Sequence, residues 1–231
     1  MRYFIFSIIT LFLISCGDTS EIQKKRMTVT TNSEEARSLF YEAIDTHSGL
    51  NWDKAENLMK SAVAKDPNFI TAKFLLNSPF VNNTDRKILT DIYNNQLDKV
   101  SEMEAIFLRG WYLAATGEGV ESRKVFKELT TKYSDISTFW LHSGILKSGG
   151  GGGDINDAIS DLKKCIEVDP NNYGANAYLM AKHMVVGTLG RMVPVEERDL
   201  EVAKMHIDRM IEIDPSNAYG PTYAGNYERA K

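Results

Sequence analysis

"KAENLMKSAVAKDPN" (54–68), "DAISDLKKCIEVDPN" (157–171) and "VAKMHIDRMIEIDPS" (202–216) are three versions of one pattern in a chain of 231 residues. Aligned on Pro67, Pro170 and Pro215, they carry alanine twelve residues earlier, at Ala55, Ala158 and Ala203. Met59, Leu162 and Ile207 lie eight residues before the proline, Ala62, Cys165 and Met210 five before, and Val63, Ile166 and Ile211 four before. Apolar residues at these spacings share one stripe of a helix. The recurrent alanine lets a neighbouring helix approach closely, while larger side chains fill the space beside it. Proline disfavours helical geometry in the residue before it. It also suits the first position of a following helix, with the aspartate as its cap. The pattern therefore predicts helix, turn, helix, written several times. Neither a sustained period-two alternation nor an Asn-Gly hairpin speaks for strands, so the expected class is all-α.

The halves that precede these stretches show a pattern too. Trp140 and Gly144 stand four apart, Gly110 and Gly117 bracket "GWYLAATG", Leu39 and Ala43 precede Ala55, and Leu179 follows Pro170. Together these residues resemble the tetratricopeptide repeat, a helix-turn-helix unit of about 34 residues with a loose W-x₂-L-G-x₂-Y…A…F…A…P pattern. The signature positions are Ala55, Ala62, Pro67, Gly110, Trp140, Gly144, Ala158, Pro170, Ala203 and Pro215. The resemblance implies a right-handed superhelix of antiparallel helix pairs across 33–231, with units near 33–67, 68–100, 101–134, 135–170 and 171–215 and a terminal helix at 218–231. The first, fourth and fifth units match well. The third has Ser134 where proline would stand, and the second lacks both the alanine and the closing proline. Two insertions separate paired helices: "SGGGGGD" (148–154) and "GTLGRMVP" (187–194). Each helix pair has an apolar face that it cannot bury alone, so neighbours stack and bury a continuous strip. The stack then leaves a concave groove lined mainly by the first helix of each unit.

Residues 3–14, "YFIFSIITLFLI", form the one long apolar run. It is too short for a bilayer span of roughly 20 residues and suits the apolar region of a secretory signal after the basic Arg2. The run ends Leu13-Ile14-Ser15-Cys16, which resembles the lipobox of bacterial lipoproteins. The resemblance implies a signal peptide at 1–15, acylation of the Cys16 thiol and cleavage before it. An ordinary secretion signal with an incidental cysteine, or an uncleaved anchor, are the alternatives. Several acyl chains make a stable anchor. The polar stretch 16–32 reads as a flexible tether, with Lys24-Lys25-Arg26 either solvated or touching anionic head groups. Gly17 is not the aspartate that marks inner-membrane retention in well-studied bacteria. The expected address is therefore the bacterial envelope, at the outer membrane facing the periplasm.

Chemistry is hard to find. A net charge of −4 argues against nucleic-acid binding. With Cys16 acylated, Cys165 has no disulfide partner. The glycine run at 149–153 lacks the Lys and Ser or Thr of a phosphate loop, and Asp154 reads instead as a helix cap. His47, His142, His183 and His206 form no HxxxH or HxxE pair, so no local metal site is expected. His183 takes a place the repeat gives to an aromatic, and His206 falls on a helix flank. Cys165 reads as a small core residue rather than a nucleophile. The carboxylates read as solvated, with Glu34-Glu35 and Glu196-Glu197 complementing helix dipoles. Trp111, Tyr112, Phe139 and Trp140 are either inter-helix core or groove anchors, since aromatics dominate binding hot spots. The expectation is a lipid-anchored scaffold that binds a protein or peptide, without catalysis, cofactor or metal. The rival is a periplasmic accessory protein of a transport system that binds a small molecule or lipid.

Overall fold

A computed structural model describes residues 24–81, 84–148, 153–184 and 193–230. Cys16, the apolar run, 149–152 and 185–192 lie outside the described residues. The described residues hold eleven α-helices and no strand: α1 (Glu34–Ser48), α2 (Trp52–Lys65), α3 (Ile70–Leu76), α4 (Arg86–Asn95), α5 (Glu102–Thr116), α6 (Gly119–Lys132), α7 (Ser137–Ser148), α8 (Ile155–Val168), α9 (Tyr173–His183), α10 (Leu200–Ile213) and α11 (Tyr219–Ala230). The most extensive packing joins α1 to α2, α5 to α6, α7 to α8 and α9 to α10. Further contacts carry the stack from α2 to α3, α4 to α5, α6 to α7 and α8 to α9. The pair formed by α3 and α4 is the thin one. Its helices have seven and ten residues, and Phe80, in the short turn Pro79–Val81, fills core space beside them.

Caps define most of the helix starts. Ser33, Asn51, Asp85, Asp154, Asn172 and Asp199 each accept a backbone N–H of the first turn that follows. Ser101 and Glu104 form a reciprocal capping box on α5. Gly117 closes α5 with φ +92°, a left-handed conformation that glycine adopts without a Cβ penalty.

The Asp-Pro turns differ from the sequence expectation. Proline does not open the next helix, and aspartate does not cap it. Asp66, Asp169 and Asp214 are the C-caps of α2, α8 and α10. Their carbonyls accept from Phe69, Asn172 and Asn217, three residues on. Each Oδ1 accepts the backbone N–H two residues on, from Asn68, Asn171 and Ser216. Proline thus sits second in a β-turn, where its fixed φ is already correct. Tyr133 and Ile136 make the same turn without proline between α6 and α7.

Ala55, Ala62, Ala158 and Ala203 are completely buried, whereas Pro67, Pro170 and Pro215 stay exposed in their turns. Gly110 and Gly144 mark close helix crossings. A Cβ at Gly110 would lie 2.6 Å from the Phe126 ring, and one at Gly144 would lie 2.8 Å from Leu162 Cγ. The stack also curls far enough for its two ends to meet. A Cβ at Gly174 in α9 would stand 2.6 Å from the Ser48 carbonyl in α1, and Asn217 donates to the Gly49 carbonyl at 2.7 Å. Leu50, at φ +63°, packs in one apolar cluster with Tyr219 and Met210 at this seam. Gly144→Ala is expected to cost about 1–3 kcal/mol, the usual range for overpacking a close crossing. Urea denaturation followed by helical circular dichroism measures it.

Candidate binding groove

Residues 24–32 were expected to be a free tether. Instead they lie against the stack as a strap without regular secondary structure. Burial alternates along it: Met27, Val29 and Thr31 point inward, and Thr28, Thr30 and Asn32 are largely exposed. That is the period of an extended chain seated on one face. Met27 and Val29, each 5% exposed, join the main core cluster with Phe40, Phe69 and Phe107. Burying such side chains stabilises the seat by roughly 1.5–3 kcal/mol each, which explains why a polar-looking segment does not stay in water.

The basic trio is held by carboxylates at one end of the strap. Lys24 Nζ stands 3.1 Å from Asp45 and 3.0 Å from Asp169. Lys25 pairs with Asp135, and Arg26 with Asp45 at 2.6 Å, its guanidinium lying over the Tyr41 ring. Burial alone would lower the Lys24 pKa, but Asp45 and Asp169 outweigh it and raise it. The Tyr41 hydroxyl donates to the Met27 carbonyl at 2.8 Å.

The other end is fixed by Glu104, which is completely buried. Its carboxylate accepts from Thr30 N (2.9 Å), Thr30 Oγ1 (2.5 Å), Thr71 Oγ1 (2.6 Å), Ser101 N (3.0 Å) and Ser101 Oγ (2.9 Å). A buried carboxylate needs such donors, and the strap supplies two of the five. Thr31 Oγ1 then donates to Asp66 Oδ2 at 2.5 Å, which holds Asp66 below the usual carboxylate range. The turn aspartates therefore act twice. In Asp66 and Asp169, Oδ1 closes the turn between repeats while Oδ2 receives the strap.

The expected aromatics divide. Trp111 and Phe139 are core residues and do not line the groove: Trp111 packs against Phe80, Phe107, Phe126 and His142, and Phe139 against Phe107. Tyr112 is half-buried and stacks on Tyr93 at 4.0 Å. Trp140 is half-buried, and its indole N–H donates to the Ser134 carbonyl. Cys165 is buried, and burial pushes its thiol pKa up.

The histidines are likewise structural. His183 Nδ1 accepts from Asp199 N at the start of α10. His206, expected on a flank, is buried with Nδ1 3.0 Å from Asn176 Oδ1. His142 sits 1% exposed among Phe80, Phe107, Trp111 and Phe126, and neither ring nitrogen has a partner among the described residues. His47 stacks on Phe80 beside it at 3.7 Å. Among the described residues no group of three or more His, Cys, Asp or Glu is placed to hold a metal.

The backbone is similar to that of TTC0263, a thermophilic TPR protein of Thermus thermophilus, with a TM-score of 0.52 at 11% identity over 83% of this chain and 98% of that one. The chain has a tetratricopeptide-repeat fold. Looser likenesses are a MamA RS-1 double mutant (TM-score 0.44, 14% identity, 80% and 98% covered) and PilW, a widely conserved type IV pilus biogenesis factor (TM-score 0.43, 17% identity, 78% of both chains). No family model and no curated protein matches the sequence. Within this tetratricopeptide stack the strap meets α1 through Tyr41 and Asp45 and the first turn of α5 through Glu104, so it lies along first helices of the repeats.

Two expectations follow from this geometry. Glu104→Gln places an amide among groups that donate to it and should destabilise the fold by about 1–3 kcal/mol. Trypsin should then cut at Lys24–Arg26 sooner than in the parent chain, with helical circular dichroism retained. Burial lowers the pKa of His142 to about 3 and those of His47 and His206 to about 4. Their pKa in the unfolded chain is near 6.5. Below that value the unfolded chain takes up protons that the folded chain refuses. Their contribution is therefore present above pH 6.5 and is lost as pH falls, by up to about 1.4 kcal/mol per pH unit for each. Urea midpoints should drop between pH 6.5 and 5, and His142→Phe should reduce the slope.

Proposed function

We propose that this chain is a non-catalytic, protein-binding stack anchored at the bacterial cell envelope through an acylated Cys16, at the outer membrane and facing the periplasm. The observation that carries the binding part is residues 24–32 lying along the first-helix face. That face accommodates an extended polypeptide, with acidic groups for basic side chains, apolar seats two residues apart and a buried acceptor for a hydroxyl and a backbone N–H. The TPR fold of the similar solved structure supports the same reading. The envelope part rests on the lipobox and on Gly17.

The two parts are geometrically compatible. Lys24 lies eight residues after Cys16 in the chain, and at full extension those eight steps span at most about 29 Å. An anchored Cys16 therefore keeps the acidic end of the groove close to the membrane surface. Cys16→Ser should move the protein from the detergent-extracted membrane fraction to the soluble fraction. A tagged parent chain, purified from detergent-solubilised membranes, should co-purify a protein partner. Recovery of a lipid or solute with no protein would reject the scaffold reading.

A further inference from the structure

The strap shows what chemistry the groove accepts. Its basic end meets Asp45, Asp135 and Asp169 through pairs that are partly exposed to water, and such pairs hold weakly. Its middle inserts two apolar side chains, Met27 and Val29, two residues apart. Its far end satisfies Glu104, which would lose two of its five donors if the strap left and nothing replaced it. Residues 24–32 belong to no helix, and the chain passes from the strap into α1 at the cap Ser33, while its contacts with α1 run through the side chains of Arg37, Tyr41 and Asp45. It can therefore peel from Lys24 toward Thr31 without unwinding a helix. The departure exposes an acidic, apolar and hydrogen-bond-accepting track, which only a segment of similar pattern covers at low cost.

We propose that this face is the docking site for an extended segment of a partner protein, and that residues 24–32 are a tethered competitor which that segment must displace. The segment carries two or three basic residues, then two apolar side chains two residues apart, then a threonine or serine whose hydroxyl and N–H reach Glu104. This rests on the protein-binding reading above and names the partner chemistry for it. A tethered competitor lowers apparent affinity by the fraction of time the groove is open: a groove open about 1% of the time binds about 100-fold more weakly. Docking is thereby restricted to segments that match the track or are held nearby at high local concentration.

The test uses the full mature chain and a fluorescently labelled synthetic peptide, QKKRMTVTTNS, copied from residues 23–33. In one variant, Met27→Asp and Val29→Asp together prevent the strap from seating. Anisotropy titration should show the peptide binding this variant about 100-fold more tightly than the parent. A peptide carrying aspartate at the same two positions should bind neither. Equal binding to both chains, or none to a variant that keeps its helical circular dichroism, overturns the proposal. Should the double variant unfold, Lys24→Ala, Lys25→Ala and Arg26→Ala together loosen only the ion-paired end. The peptide should then bind about tenfold more tightly than to the parent, and an unchanged affinity again overturns the proposal. Concentration-dependent dimers of the parent that the double substitution abolishes would assign the groove to a second copy's strap and overturn the partner assignment. The two readings also fail separately. A partner that co-purifies but is not released by the peptide leaves the protein-binding reading intact and removes this docking site. A peptide that binds where no partner is captured does the reverse.

Discussion

Each helix pair in this chain has an apolar flank that its own two helices cannot cover, and burying that flank against the next pair is the constraint on which the molecule depends. It explains the complete burial of Ala55, Ala62, Ala158 and Ala203. It also explains the absence of a side chain at Gly110 and Gly144, where a Cβ would collide with Phe126 or Leu162. A helix that approaches this closely leaves no void and gains dispersion contacts along its length. The same requirement makes the thin α3–α4 pair depend on Phe80, which stacks on His47 and meets Trp111 edge-on. There the aromatic centre surrounds His142, which has no hydrogen-bond partner among the described residues. Two of the three histidines whose burial makes stability depend on pH, His47 and His142, therefore sit at this aromatic centre, and His206 lies apart from them beside Asn176.

Repetition of the turn produces the binding chemistry as a by-product. A β-turn with aspartate first and proline second recurs because it ends one helix and redirects the chain for the next. One carboxylate oxygen satisfies the turn, which leaves the other free to face the groove. Asp66 and Asp169 use that second oxygen on Thr31 and Lys24. Asp135, in the proline-free version of the turn, meets Lys25. An acidic edge is thus built at the spacing of the repeats, with Glu104 of the α5 capping box buried within it. Residues 24–32 meet that edge with three basic side chains and with the hydroxyls of Thr30 and Thr31, and this complementarity accounts for their departure from a solvated tether.

The helices, their stripes and the small residues at the crossings were legible because they depend on neighbours within about four residues, and a 3.6-residue period writes that dependence into the sequence. The strap was not legible in the same way. "MTVT" does alternate apolar and polar residues, but two apolar side chains in a basic, polar stretch are too short a signal to set against a tether composition. Glu104 looked like one more solvated carboxylate, although its spacing from Ser101 was the mark of a capping box. Position on the helix puts His206 on a flank and leaves Trp111 open between core and groove, and each is decided by what packs across from it.

Local periodicity and turn chemistry determined by themselves that this chain forms stacked helix pairs, since each of those choices is made among residues near in sequence. Only the tertiary structure decided that residues 24–32 lie in the groove, that Glu104 is buried beneath them and that α9 closes against α1. Those outcomes join residues 74 apart at Thr30 and Glu104 and 168 apart at Gly49 and Asn217. Contacts over such separations exist only after the superhelix has curled, because the curl is the sum of many small rotations between neighbouring repeats and no single repeat specifies it.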